Sequence, residues 1–519
     1  MVSLPSRSRC LLTWHSPLLP LPTPSRSYQS VTFSQPWNYV DGKRVDPVDS
    51  GGLTFQHHDP ATGNDVCAIP ESGPADVDAA VASAHEGFKI WSRMSGMERG
   101  RILVAAGQCI RKSTEELANI ETVDTGKPIW ESRFDIAAAA DAFEYNGGVA
   151  ASLGGRHVDL PGGNWAFTRR EPLGVVGGIG VWNFPTPTIA WKAAPALACG
   201  NSLVFKASPF TPMNALKIAE ILTDSGLPAG CLNVLQGQGL AGKLLCRHPD
   251  VAKISFTGSV STGISVLKEA ADTMKHTTME LGGKSPLIVF EDADLTNALR
   301  GVLIGNFITQ GAVCSAGTRV FVHRTIYDRF SKMVVDATNA MKIGDPMDED
   351  VKIGATINAP HAKKVLKFID DAKAAGARIL CGGERVVLPA PLDEGWYLSP
   401  CVFDNVTDDD VIVKEEVFGC ACALLPFDTE DEVIHRANAS PFGLAGGVFT
   451  RDVSRAHRVV NQLQVGTAWI NTYNFYPAEV PFGGYKMSGF GRENGLEVLN
   501  HYSQLKTVFV EMGDVDFPL

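Results

Sequence analysis

A chain of 519 residues is longer than one compact core usually serves, so two or three domains are expected, each able to bury an apolar interior. Hydrophobic residues make up 45% and charged residues 20%, and the net charge of −11 excludes a basic nucleic-acid-binding surface and leaves small molecules as the expected partners. Eleven cysteines without CxxC pairs or a His/Cys cluster fit buried thiols in a reducing compartment rather than a disulfide framework or a metal site. No uninterrupted apolar run reaches the roughly 18 residues of a membrane span.

Residues 1–40 contain no Asp, Glu or Lys but carry Arg7, Arg9 and Arg26 among Ser, Leu and Pro, the compositional bias of an organelle transit peptide. Arg26-Ser27-Tyr28 is similar to a matrix-protease cleavage signal, whereas Pro17, Pro20, Pro22 and Pro24 break the amphipathic helix such leaders form. Segment 1–34 therefore reads either as a mitochondrial leader or as a disordered tail on a cytosolic protein. Aromatics around Asp41-Gly42 predict a short edge hairpin, and Asp59 to Gly63 another turn. Apolar residues at helical spacing predict helices over 76–90, 97–111 and 115–126, and an alanine-rich one over 136–151. Residues 149–172, punctuated by Gly and Pro, read as a projecting hairpin that serves association.

Strand-like runs then alternate with helices. Gly174 to Gly180 leads to Trp182-Asn183-Phe184-Pro185, which places Asn183 at a strand's carboxyl end, where α/β proteins put ligands. The glycines do not make GxGxxG in its strand-to-helix setting, so the run alone is a poor nucleotide fingerprint. A second strand ends at Lys206, and further strands are predicted at 230–235 and 251–256. Thr257 to Gly263, with Gly258 and Ser259, sits between strand and helix, where backbone N–H groups can meet a phosphate. From Leu287 the alternation starts afresh and ends with a β-type run at 504–511. The expected class is α/β, with two doubly wound parallel-sheet domains.

Glu280 beside Gly282-Gly283, with Cys314 further on, supplies a candidate base and a candidate nucleophile for acyl chemistry. Taken singly, each has a plainer reading: Cys314 as a buried thiol, Glu280 as a strand-end carboxylate, Asn183 as a turn residue, Lys206 as a solvated charge, Glu416 as part of a wet charge run.

Together, WNFP, FK before a Pro-rich turn, FTGS, MELGGKSP, the cysteine segment, KEEVFG and PFGGYKMSGFGRE resemble the NAD(P)-dependent aldehyde dehydrogenase superfamily, in the family's order, over residues 35–519. The stretch Tyr473 to Asn494 looks most like its trimethylaminobutyraldehyde and betaine aldehyde branch. The resemblance implies oxidation of an aldehyde to a carboxylic acid through a cysteine thiohemiacetal and thioester. For this branch the implied substrate is 4-trimethylaminobutyraldehyde, on the route to carnitine, with betaine aldehyde or aminoaldehydes as alternatives. A catalytically silent nucleotide-binding relative is the reading from another class.

The same resemblance makes Cys314 the nucleophile, Glu280 the base that activates water, and Asn183 an oxyanion donor with the Cys314 backbone N–H. It assigns Lys206 and Glu416 to cofactor ribose, Trp182, Gly258 and Ser259 to the rest of the NAD site, Phe418 to the nicotinamide, and Lys192 to a proton path. It implies NAD-binding segments at 35–148 and 173–281, a catalytic domain at 282–498, and oligomerisation segments at 149–172 and 499–519 pairing between subunits of a homotetramer. Phe184, Trp191 and Tyr476 are the candidate cage for a trimethylammonium head, with core packing as the rival reading. Ala312 stands where the family has Gln or Glu, and Ala355 and Cys420 stand where Pro is usual, changes expected to loosen the loops around Cys314. Pro209 occupies the place of a ribose-binding Glu, so the choice of NAD rests on the branch resemblance.

Overall fold

The computed structural model describes residues 37–514; the leader segment 1–34 lies outside the described residues. The edge hairpin forms from β1 (Asn38–Val40) and β2 (Lys43–Val45), and the second turn joins β3 (Thr54–His58) to β4 (Asp65–Pro70). Four helices follow: α1 (Pro74–Trp91), α2 (Gly96–Lys112), α3 (Thr114–Thr125) and α4 (Ile129–Val149). Helix α2 starts at a capping box in which Ser95 accepts from the Glu98 N–H while the Glu98 side chain returns to the Ser95 N–H. Helix α4 begins well before the predicted residue 136, because Pro128 presets the backbone for helix entry and the alanines only continue a helix already under way.

The arm is β5 (His157–Asp159) and β6 (Trp165–Pro172). Next come β7 (Val175–Ile179), α5 (Pro185–Ala198), β8 (Ser202–Lys206), α6 (Met213–Asp224), β9 (Leu232–Leu235), α7 (Gly239–Arg247), β10 (Val251–Thr257), α8 (Val260–Ala271) and β11 (His276–Glu280). The second half opens with β12 (Pro286–Val289), α9 (Leu295–Phe307), β13 (Arg319–His323), α10 (Tyr327–Asn339), α11 (Ala359–Ala374) and β14 (Arg378–Cys381).

Two large sheets result. The first has eight strands in the order β2, β1, β9, β8, β7, β10, β11 and Gly489–Phe490; β7 to β11 are parallel, and β1 and Gly489–Phe490 run against them. The second has seven, in the order β14, Cys401–Asp404, Ala421–Phe427, β13, β12, Ala445–Phe449 and Thr467–Ile470, parallel apart from β14. The central strands are buried on both faces, as apolar runs such as Val175 to Ile179 and Pro286 to Val289 require. The two doubly wound parallel sheets are those expected. Strand order reverses between β7 and β10, which opens a crevice at their carboxyl ends.

Two pairings add to the expectation. The C-terminal strand Ser503–Val510 pairs antiparallel with β6 of its own chain along the whole strand, from Ser503 opposite Pro172 to Val510 opposite Trp165. Its edge faces solvent beyond that pairing, with Leu505 and Phe509 exposed. The loop-like segment Pro481 to Gly489 ends in a strand that completes the first sheet, because Met279 and Glu280 of β11 offer an unpaired edge to Phe490 and Gly489.

Candidate active site

Cys314, Glu280 and Asn183 come to one cleft of about 1330 Å³, although they lie on three separate segments of the chain. Asn183 follows β7, Glu280 is the last residue of β11, and Cys314 lies on the irregular segment between α9 and β13. The path to Cys314 is tightly bent. Thr309 (φ 49) and Gln310 (φ 52) are left-handed, a conformation costing roughly 1–2 kcal/mol per non-glycine residue, and Gly311 (φ 71) follows. A Cβ on Gly311 would stand 2.3 Å from the Gly419 carbonyl carbon.

The bent path is held from outside. The Thr309 N–H and hydroxyl donate to Glu131 Oε2 at 2.7 and 3.0 Å, and Gln310 donates to the Gly126 carbonyl at 3.2 Å. Asn183 Nδ2 donates to the Ala312 carbonyl at 2.7 Å. Ala355, at a position where proline is usual, donates its N–H to the Gly126 carbonyl at 2.9 Å, a bond proline lacks. The buried Cys420 accepts from the Cys401 N–H at 2.8 Å, and its Sγ lies 4.0 Å from the Phe307 carbonyl.

Burial pushes the Cys314 thiol up to about 12, helped by the charges of Glu280 and Glu416 and opposed by backbone N–H groups of Ser315 and Cys314. Glu280 is also driven well above the ordinary carboxylate range, first by burial and then by Glu493, against the pull of Lys192 and Arg492. Neither Glu280 carboxyl oxygen has a hydrogen-bond partner in the protein, so the group lines the cleft without being committed to a structural bond. Behind it Lys192 donates to Glu493 at 2.9 Å and to the Ser255 hydroxyl at 3.0 Å. Glu493 was not singled out in the sequence; its place in GRE beside the last strand of the first sheet was the available signal.

The proposed cofactor residues gather along the same cleft, with one exception. Ser259 caps α8 by accepting from the Thr262 N–H at 3.3 Å, and the Gly258 N–H donates to the Glu280 carbonyl at 3.0 Å. Glu416 accepts from the Gly283 N–H at 3.0 Å, and burial raises its carboxyl to about 7. A Cβ on Gly282 would come within 2.2 Å of that carboxylate, and one on Gly283 within 2.6 Å of the Cys314 carbonyl oxygen, which together explain the Gly-Gly pair. Phe418 (φ 59) stands edge-on to Trp182 at 5.4 Å, and its carbonyl accepts from His361 Nε2 at 2.7 Å. Lys206 does not line the cleft: it ends β8 opposite Ile179, buried, with its ammonium lowered to about 8 by burial. Pro209 and Phe210 form the wall there instead.

The three aromatic candidates also reach the cleft. Tyr476 lies 6.4 Å from Trp191 and 5.0 Å from Phe482, both edge-on, and Trp469 backs it at 5.5 Å. Its hydroxyl donates to Asn474 Oδ1 at 2.6 Å and also bonds the hydroxyl of Ser315, next to Cys314. One face of Phe184 is taken by the Lys127 ammonium, 4.5 Å from the ring centroid. Phe482 and Trp469 were missed in the sequence because aromatic residues in strand and turn segments read as core.

Among the described residues no group of His, Cys, Asp and Glu can hold a metal ion, and no helix is long and apolar enough to cross a membrane.

The model of the aldehyde dehydrogenase family matches residues 48–508. The chain is 54% identical over 484 residues to 4-trimethylaminobutyraldehyde dehydrogenase of Homo sapiens, covering 93% of this chain and 98% of the relative. It is 53% identical to 4-trimethylaminobutyraldehyde dehydrogenase A of Danio rerio, covering 96% and 99%. Among solved structures, betaine aldehyde dehydrogenase from Staphylococcus aureus in complex with NAD+ is similar with a TM-score of 0.88 at 37% identity, covering 91% of this chain and 94% of that one. The NAD+ complex of an aldehyde dehydrogenase from Bacillus cereus gives 0.89 at 39%, covering 92% and 96%. Matches of this extent leave one placement: the chain belongs to the aldehyde dehydrogenase family.

Proposed function

We propose that the protein oxidises 4-trimethylaminobutyraldehyde to 4-trimethylammoniobutanoate with NAD, a step toward carnitine. The observation that carries this reading is the convergence of Cys314, Glu280 and Asn183 in one cleft with a Tyr476-centred aromatic cluster. Cys314 adds to the aldehyde carbon once its thiol proton has moved to a neighbouring base, giving a thiohemiacetal. Asn183 Nδ2 and the Cys314 backbone N–H stabilise the oxyanion, and losing one such donor costs a factor of about 10² to 10³ in rate. Bound NAD supplies the acceptor for the hydride that leaves the adduct carbon. Glu280, ionised, takes a proton from the water that hydrolyses the resulting thioester, and Lys192 with Glu493 carries that proton away.

The donor set suits a dinucleotide. The N-terminus of α8 at Ser259 offers N–H groups to a pyrophosphate, and the Glu416 carboxylate can accept from ribose hydroxyls. Lys206 reaches the ribose only if its side chain turns toward the cleft. Trp191 and Tyr476 offer ring faces to the quaternary ammonium, each worth about 0.5 to 2 kcal/mol. The 54% identity to 4-trimethylaminobutyraldehyde dehydrogenase, against 37% to the bacterial betaine aldehyde dehydrogenase, favours the longer aldehyde.

Purified protein with NAD is expected to form NADH fastest with 4-trimethylaminobutyraldehyde, more slowly with betaine aldehyde, and slowest with hexanal. Cys314→Ala is expected to abolish all three. Wild type no faster than this variant on every aldehyde defeats the enzyme reading, and a higher kcat/KM with NADP than with NAD overturns the cofactor.

A homotetramer, as a dimer of dimers, is part of the same proposal, supported by the open edges of the arm sheet. The proposed location is the cytosol, with the mitochondrial matrix as the alternative resting on the composition of residues 1–34. The N-terminal sequence of protein from native tissue separates them: a start near residue 28 means a cleaved leader.

A further inference from the structure

Asn183 and Cys314 both lie on segments without regular structure, so the distance between them has to be fixed by other groups. Both segments are tied to one short stretch, Lys127 to Glu131, at the start of α4. Lys127 is fully buried, and its Nζ donates to the backbone carbonyl of Asn183 at 2.7 Å. The same ammonium bonds Asp135 and lies 3.5 Å from Glu121 Oε1. Four residues on, Glu131 Oε2 receives both the N–H and the hydroxyl of Thr309. Asn183 Nδ2 to the Ala312 carbonyl closes the ring.

We propose that Lys127 and Glu131 are positioning residues that set the separation of the Asn183 amide from the Cys314 loop, and so the fit of the oxyanion pocket. This rests on the roles given above to Cys314 and Asn183. A buried ion pair that serves only stability has no need of these partners. Here the lysine holds the backbone of the oxyanion donor, and the glutamate holds the left-handed turn leading to the nucleophile. Left-handed non-glycine residues persist where the surroundings over-determine them, and Glu131 meets that need at Thr309 with two bonds. Ala312 has no long side chain with which to brace the loop, which leaves the outside contacts to do it.

The test compares wild type, Glu131→Gln, Glu131→Ala and Thr309→Val in the full-length protein. Two rates are read: NADH formation in the first turnover with 4-trimethylaminobutyraldehyde, and hydrolysis of p-nitrophenyl acetate without cofactor. Ester hydrolysis uses the thiol and the oxyanion pocket but not NAD. Glu131→Ala is expected to slow both by about 10- to 100-fold, the loss that misplacing reacting groups brings, with KM for NAD within twofold of wild type. Glu131→Gln, which keeps one acceptor oxygen but loses the charge, is expected to fall between Glu131→Ala and wild type, remaining several-fold slower than wild type. A deuterium isotope effect on kcat from the aldehyde hydrogen is expected to grow in Glu131→Ala as hydride transfer becomes limiting.

If Glu131→Ala does not fold, Glu131→Gln and Thr309→Val decide: each is expected to slow ester hydrolysis several-fold at a melting temperature near that of wild type. Rates within twofold of wild type in those variants overturn the proposal, as does a loss confined to KM for NAD. Absence of both activities in wild type defeats the function reading itself, and the positioning role with it.

Discussion

Glu280 ends a strand with both oxygens buried and unpartnered, so its charge is costly and its carboxyl titrates well above the ordinary range. A base works when ionised, and its ionised fraction grows with pH. Thioester hydrolysis is therefore expected to accelerate as pH rises beyond the ordinary carboxylate range, measured as steady-state kcat where hydrolysis limits. Glu280→Gln is expected to release about one equivalent of NADH in a burst and then stall; steady turnover at the wild-type rate would remove Glu280 from the mechanism. Glu416 behaves alike for binding. Its carboxyl, raised to about 7 by burial, accepts more strongly from a ribose hydroxyl once ionised, so KM for NAD is expected to fall as pH rises through 7. Glu416→Gln is expected to flatten that dependence, and an unchanged slope in the variant would point to another group. At the aromatic cluster, Tyr476→Ala is expected to raise KM for the trimethylammonium aldehyde about tenfold and for hexanal little; equal rises would mean the ring only fills space.

Helix α4 walls one side of the cleft and supplies Glu131, so its seating matters at a distance. It crosses α2 where two glycines meet: a Cβ on Gly100 would lie 2.3 Å from the Gly147 carbonyl oxygen, and one on Gly147 would lie 2.8 Å from the Gly100 oxygen. Alanine normally stabilises a helix interior over glycine by about 1 kcal/mol. Backbone oxygens cannot move aside as a side chain can, so here the overlap wins. Gly100→Ala is expected to cost about 1–3 kcal/mol and lower the melting temperature. Gly148, on the same helix with nothing within 4 Å of its Cβ position, is the control. Gly148→Ala is expected to gain about 0.5–1 kcal/mol. Thermal unfolding of the two variants checks the sign of both, and a stabilised Gly100→Ala would mean the helices can separate freely.

The halves of the chain are stitched by residues far apart in sequence. Ser488 accepts from the Gly443 N–H at 3.0 Å and donates its hydroxyl to the Gly282 carbonyl at 2.7 Å, while its own carbonyl receives the Leu281 N–H at 3.0 Å. The turn after Glu280 is thus fixed by the segment that also adds the last strand to the first sheet. At the opposite end, the arm sheet leaves β5 and Ser503–Val510 as open edges. Truncation before Ser503 is expected to lower the solution mass measured by light scattering, because β6 loses its partner and the exposed strand is gone. An unchanged mass would move the association surface elsewhere.

Sequence alone determined the α/β class, the order of strands and helices, and the candidate chemistry, because apolar periodicity and short motifs are local. Val175 to Ile179 and Pro286 to Val289 read as buried strands from their composition, and the structure has them so. It also gave Cys314, Glu280 and Asn183 a common purpose before any distance between them was known. Pairing and mutual restraint are non-local, and these only the tertiary structure decided. Gly489–Phe490 joins a sheet whose other strands end at residue 280, the C-terminal strand turns back onto β6, and Lys206 is buried beside the cleft rather than on its wall. Lys127 and Glu131 carry no local pattern that distinguishes them from ordinary surface charges, and Glu493 carries only its place in GRE. They matter because folding removes water from them, so each must find its partner in a carbonyl, a turn or a buried lysine.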